Sequence, residues 1–184
     1  MDLTDLMGQS GRPLTLKQLG GLSKSTKDLI LLENVVKYSG KKTGLNEAIS
    51  GVEKVVNATG SYRAKYALTA VNDLKGKAYT GASLINEGKN QAAAISWIKD
   101  PARDALKVVT VGSNIPGGGT TMMKQAVQAS MDAGYGGRLT LVSVGDIDTL
   151  KFYYDKCGFG DLKGGGAFEL FLGSDAAKVF MGEF

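Results

Sequence analysis

The chain has 184 residues, 43% of them hydrophobic and 22% charged, with 22 Lys and Arg against 18 Asp and Glu; that length suits one domain with a real core. Histidine is absent and there is a single cysteine, which excludes Ser-His-Asp and Cys-His nucleophiles, His-based metal sites, multi-Cys metal sites and an intramolecular disulfide framework. Glycine is the compositional outlier, at 26 residues, roughly twice the usual share.

The first 25 residues are rich in Gly, Ser, Thr and Leu without a sustained period and read as a loosely ordered lead-in. Within them, 13–19 has the alternation of a short edge strand at Leu14 and Leu16. Ser25 or Thr26 is placed to N-cap a helix reaching about Tyr38, with Leu29, Leu32, Val35 and Val36 on one face. After a turn marked by Lys41, Lys42 and Gly44, the set Leu45, Ala48, Ile49, Val52, Val55 and Val56 predicts a second helix. Residues 62–74 carry both helical spacing (Tyr62, Tyr66, Thr69, Asp73) and alternation (Tyr66, Leu68, Ala70), and the reading adopted is a strand. A hairpin follows, 78–85 and 91–98 around Asn86–Asn90, closed by Pro101.

Charge is uneven along the chain. Residues 1–75 hold eleven Lys/Arg and seven Asp/Glu, whereas 76–184 hold eleven of each. Lys17, Lys24, Lys27, Lys37, Lys41, Lys42 and Arg63 therefore offer either a solvated lysine surface or a basic face for an acidic macromolecule such as RNA. No apolar run reaches the roughly 18–20 residues of a membrane span, and Met1-Asp2-Leu3-Thr4-Asp5 does not read as a signal peptide. The expected setting is cytoplasmic, without membrane attachment.

Residues 105–160 carry the most information. The run Leu106–Val111 is a β-branched buried strand, and it ends in Gly112-Ser113-Asn114-Ile115-Pro116-Gly117-Gly118-Gly119-Thr120. Thr121–Ala133 is a helix ended by Gly134–Gly137, and Arg138–Val144 is a second apolar strand. Strand, glycine loop, helix and parallel strand make a βαβ unit. Its three glycines allow close backbone approach, and the N–H groups from about Gly118 to Met122 stand at the positive end of a helix dipole. Such a loop binds phosphate without a positive side chain; the alternative is a tight turn with no ligand. Thr120 and Thr121 stand where a P-loop needs lysine, which argues against nucleotide triphosphatase chemistry. A dinucleotide loop fits at Gly117 and Gly119 but meets Met122 at its third glycine.

The segment Asn114–Met123 resembles the coenzyme A loop of the GCN5-related N-acetyltransferases, Q/R-x-x-G-x-G/A followed by apolar helix residues, with Asn in place of Gln or Arg. Phe152-Tyr153-Tyr154-Asp155-Lys156-Cys157-Gly158-Phe159 is similar to the family's aromatic-Tyr-acid-Lys-x-Gly-Phe segment. The resemblance covers about 77–172, and places the family's first strand and two helices somewhere in 1–75. It implies an α/β (α+β) fold: a mixed, mostly antiparallel sheet with one parallel βαβ unit and helices on both faces. It implies acetyl-CoA as acyl donor, no metal, and a pyrophosphate resting on Asn114, Ile115, Gly117, Gly118, Gly119, Thr120 and Thr121. The pantetheine arm would pair with Val109, Thr110 and Val111, where a backbone N–H polarises the thioester carbonyl. Tyr154 matches the tyrosine that protonates the departing thiolate, with Tyr153 its nearest competitor.

The base is open among Glu87, Asp100, Asp104, Asp146 and Asp148, and Ile147 stands where the family commonly has Asn. The implied acceptor is an amine on a small molecule, a protein or an aminoacyl-tRNA, and a toxin or effector role is compatible. The competing readings are a non-catalytic coenzyme A- or nucleotide-binding module and a dinucleotide-binding protein. Cys157 reads as a small buried residue, and Trp97 as either core or the wall of an acceptor groove.

Overall fold

The computed structural model describes residues 36–38, 42–73, 80–86 and 90–182, all within one compact unit beginning at Val36. The expected lead-in, the edge strand at 13–19 and the start of the first predicted helix lie outside the described residues. In chain order the elements are β1 (Val36–Tyr38), α1 (Lys42–Thr59), α2 (Tyr62–Asn72), β2 (Thr80–Asn86), β3 (Gln91–Asp100), β4 (Ala105–Ser113) and α3 (Gly118–Asp132). There follow β5 (Leu139–Val142), α4 (Ile147–Lys151), a π-helical turn at Phe152–Cys157, β6 (Gly160–Asp161), β7 (Glu169–Leu172) and α5 (Ser174–Met181).

One seven-stranded sheet runs in the order β1-β2-β3-β4-β5-β7-β6. Among the described residues only β4 and β5 pair in parallel; every other neighbouring pair is antiparallel. The mixed, mostly antiparallel sheet is thus as expected, and so is the parallel pair flanking α3. Among the described residues it lacks the successive parallel strands of a doubly wound dinucleotide fold.

Three expectations fail. Residues 36–38 are not the end of a helix but a strand, registered Val36↔Ser83 to Tyr38↔Gly81; so short a strand exists through its pairing, which local periodicity does not reveal. Residues 62–72 are helix, not strand. Ser61 caps that helix by accepting the Ala64 N–H, and Ala64, Ala67, Ala70 and Val71 make one buried stripe. The stripe outweighs the alternation because Tyr66 and Leu68 are not fully buried. Gly44 likewise lies within α1 rather than ending a turn before it.

Helices cover both faces of the sheet. Ala48, Ile49, Val52 and Val55 of α1 join the α2 stripe in a core closed by Ala92 and Ala94 of β3. The intervening Ala93 faces the other way, toward Gly118 at the start of α3. With both faces covered, β3 is buried without interruption from Ala92 to Trp97, and Trp97 is a core residue. Small side chains set the α2–sheet distance: a Cβ on Gly112 of β4 would overlap the Tyr66 and Ala67 backbone. Among the described residues no helix is long and apolar enough to cross a membrane.

Candidate active-site cleft

Strand β4 changes partners along its length. It pairs with β5 only at Leu106↔Leu139, Lys107↔Thr140 and Val108↔Leu141, and then runs on to Ser113 beside β3 alone. The β3–β4 register shifts here, from Trp97↔Val108 to Ser96↔Thr110, so Val109 is bulged out of the ladder. The result is a strand with one open backbone edge, diverging from β5 and leading into the glycine loop. A cleft of about 910 Å³ occupies the gap, within the size range of small-ligand sites.

A polar chain behind the bulge holds its shape. The Thr110 hydroxyl donates to the Asp73 carboxylate at 3.3 Å and lies 2.9 Å from the Ser96 hydroxyl. Since Thr110 has one proton and sends it to Asp73, Ser96 is the donor in the second bond. Ser96 is fully buried, so the chain also satisfies a hydroxyl that would otherwise be costly.

The loop beyond β4 is shaped internally. Ser113 Oγ accepts the Ile115 N–H and donates to the Ile115 carbonyl. Gly117 has φ +75°, and a Cβ on Gly118 would meet Ser113, Ile115 and Ala93; both positions require glycine. The row of expected donors is shorter than its sequence suggests. Gly118 donates to Ile115 and Thr121 to Gly117, leaving the N–H groups of Gly119 and Thr120 as the unpaired donors of the α3 N-terminus among the described residues. The buried Thr120 hydroxyl also has no partner. The Asn114 side chain is used within the fold. Its Oδ1 accepts the Ala92 N–H at 2.6 Å and its Nδ2 donates to the Asn90 carbonyl at 3.0 Å, tying the loop to the β2–β3 hairpin.

Of the predicted site residues, Val109, Thr110, Val111, Asn114, Ile115, Gly117, Gly119 and Thr120 line the cleft. Gly118 and Thr121 support it from behind, both buried. Tyr154 does not line it: its hydroxyl donates to Asp161 Oδ1, a bond that holds the phenol above its ordinary pKa and fastens the π-turn to β6. The tyrosine in the cleft is Tyr153, packed edge-on against Phe152 and Phe159. Residues 152–157 form a π-turn closed by the Gly158 N–H donating to the Tyr153 carbonyl, one residue more than an α-turn, and within it Tyr153 rather than Tyr154 faces the cleft. Burial raises the Tyr153 phenol strongly, with smaller contributions from Cys157 and Asp146, and keeps it protonated at neutral pH. Burial pushes the Cys157 thiol up to about 12, consistent with a packing role.

The candidate bases separate spatially. Asp146 and Asp148 line the cleft; Asp100 binds Arg103 and Thr140, Asp104 is an exposed turn residue with φ +46°, and Glu87 lies outside the described residues. Asp146 also N-caps α4, accepting the Thr149 N–H at 3.0 Å, and these Thr149 bonds hold its carboxyl below the usual value. Of the expected basic face, only Arg63 has a described side chain, and it lines the cleft.

Sequence reading missed three contributors: Tyr62 and Tyr66, whose hydroxyls lie 2.5 Å apart across one turn of α2, and Asp73. A helical reading of 62–74 places all three at i, i+4 and i+11, on one face, which is the signal that the strand reading discarded. The chain matches no protein-family model, and no curated protein sequence is significantly similar to it.

Proposed function

We propose that this protein is an N-acetyltransferase that moves an acetyl group from acetyl-CoA to an amine. One observation carries the reading: β4 loses β5 after Val108 and continues with an open edge into a glycine loop at a helix N-terminus. A ligand with amides along a flexible arm and a phosphate group at its end needs those two features in series. The residues fit such a ligand. The free Gly119 and Thr120 N–H groups and the unpartnered Thr120 hydroxyl are recognition elements for a phosphate. The two motif resemblances and the succession of a strand and two helices before the hairpin point the same way.

Bound there, acetyl-CoA supplies an activated acetyl group. The open edge at Val109–Val111 orients the arm by backbone hydrogen bonds, and an N–H of that edge polarises the thioester carbonyl. The amine nitrogen forms the new C–N bond as the C–S bond breaks. Of the two protons the ammonium loses, one ends on the departing sulfur and one goes to solvent. Tyr153, kept protonated by burial, is the group in the cleft suited to give the sulfur its proton. Asp146 and Asp148 are the carboxylates available to draw protons from the amine.

Titration calorimetry with acetyl-CoA tests the reading directly, together with mass analysis of amines incubated with the protein and acetyl-CoA. Saturable binding and a +42 Da product, the increment of an acetyl group replacing hydrogen (about 42 Da by composition), are expected. Absence of acetyl-CoA binding overturns it, and binding without any product favours the non-catalytic module.

A further inference from the structure

Seven large apolar side chains are exposed among the described residues: Tyr62, Tyr66, Val142, Val144, Ile147, Phe168 and Val179. Their distribution is not random. Tyr62, Tyr66, Val142 and Val144 line the cleft. Ile147 stands between its acidic residues Asp146 and Asp148, and the Phe168 ring lies against Gly145 in the turn before them. All but Val179 therefore gather at one part of the molecule, where exposed apolar surface marks a binding surface.

Four charged side chains line the cleft: Arg63, next to Tyr62 on α2, and Asp146, Asp148 and Lys156. Asp146 and Asp148 sit at the start of α4, while Lys156 lies in the π-turn at its far end. Nine residues lie between Asp146 and Lys156, across α4 and the π-turn. Phe152, between them, stands against Gly119 of the loop. Tyr62 and Tyr66 meet edge to face, with ring centroids 4.7 Å apart, and the Asp146 charge is felt at both Tyr62 and Tyr153. Gly112 makes this possible, because only its missing Cβ lets α2 bring the tyrosines over the open edge of β4.

Resting on the acetyltransferase reading, we infer that the acceptor is a primary amine borne on an apolar or aromatic group. Its ammonium lies near Asp146 and Asp148, and its body packs against Tyr62, Tyr66, Val142 and Val144. Polyamines and amino sugars lack the apolar body, and a neutral aromatic lacks the charge. The chemistry is that of transfer: amide and free thiol form from the ammonium and the thioester, with one proton released.

The experiment uses the full chain, acetyl-CoA and three amines at equal concentration: 2-phenylethylamine, spermidine and glucosamine. Release of free thiol gives the rate, mass analysis gives the product, and calorimetry measures acetyl-CoA binding in parallel. The expected result is a kcat/KM for 2-phenylethylamine at least about tenfold above the other two. Tyr62→Ala, a surface change unlike a core truncation, raises the KM for 2-phenylethylamine about tenfold with little change in the KM for acetyl-CoA. Asp146→Asn, which keeps an N-cap while removing the charge, raises the same KM several-fold. Preference for spermidine or glucosamine, or a Tyr62→Ala variant with unchanged amine KM, overturns the inference while leaving the acetyltransferase reading standing. Failure to bind acetyl-CoA overturns both.

Discussion

The two halves of β4 differ in the opposite sense to their β propensity: the second, with Val109, Thr110 and Val111, is richer in β-formers than the first, yet it is the less buried. From Ala105 to Val108 the strand is flanked by β3 and β5, and Ala105, Leu106 and Val108 are at most 4% exposed. From Val109 to Ser113 it has β3 on one side and a cleft on the other, and every residue is half-buried. The first half contributes to stability through burial; the second leaves backbone groups unpaired and is therefore where a ligand can bind. Truncation should separate them most sharply. Leu106→Ala is expected to cost about 2–5 kcal/mol in urea denaturation, with acetyl-CoA affinity of the folded fraction unchanged. Val111→Ala is expected to cost about 1 kcal/mol or less, with a measurable loss of that affinity. Equal costs in the two halves would mean that the open edge is part of the core.

The same contrast between a buried and a half-buried neighbour distinguishes the two tyrosines of the π-turn. Tyr153→Phe is expected to lower kcat about a hundredfold, equivalent to about 2.7 kcal/mol, with little change in the KM for acetyl-CoA. Tyr154→Phe loses a surface bond to Asp161 and should stay within about twofold of the parent rate. Steady-state kinetics on both variants decides it, and the reverse order would return the acid role to Tyr154.

These tyrosines also show how far a sequence carries the site. The glycine loop, the strand before it and the helix after it were legible because each is a local pattern: a β-branched run, three glycines, an amphipathic stretch. The π-turn is not local in that sense, since its extra residue leaves the aromatic-Tyr-acid-Lys-x-Gly-Phe spacing intact while rotating Tyr153 inward. Residues 62–72 were misread for a related reason. The stripe of Ala64, Ala67, Ala70 and Val71 has weak hydrophobicity, and it becomes a core only against Ala92 and Ala94 of β3. The Asp73–Thr110 bond spans 37 residues, and nothing in either segment announces the other. The closing helix α5 had no place in the sequence reading.

That long-range bond is the next point to test, since it links α2 to the bulge where the halves of β4 meet. Thr110→Val keeps the shape of the side chain but leaves the Ser96 hydroxyl buried without its acceptor. The expected cost is about 1–3 kcal/mol, read from the denaturation midpoint. Ser96→Ala in the Thr110→Val background should recover part of that loss, because it removes the orphaned group. A second substitution that only adds to the first would show that Ser96 draws its stability from elsewhere.

The smallest expected effect concerns the acidic end of the cleft. The Asp146 carboxyl has a pKa below its usual value because of its bonds to Thr149, whereas in the unfolded chain it titrates near the reference value of about 3.9. A group with a depressed folded-state pKa adds stability above the unfolded value, and that contribution disappears as the pH falls through the folded value. Asp146→Asn retains a capping oxygen but cannot titrate. Comparing the urea midpoints of the parent and Asp146→Asn between about pH 2 and about pH 6, across the carboxylate range, isolates this one group from the other carboxylates. The parent should gain on the variant as pH rises through the acid range and hold a constant difference above it. A difference independent of pH would mean that Asp146 is not anchored by the α4 cap.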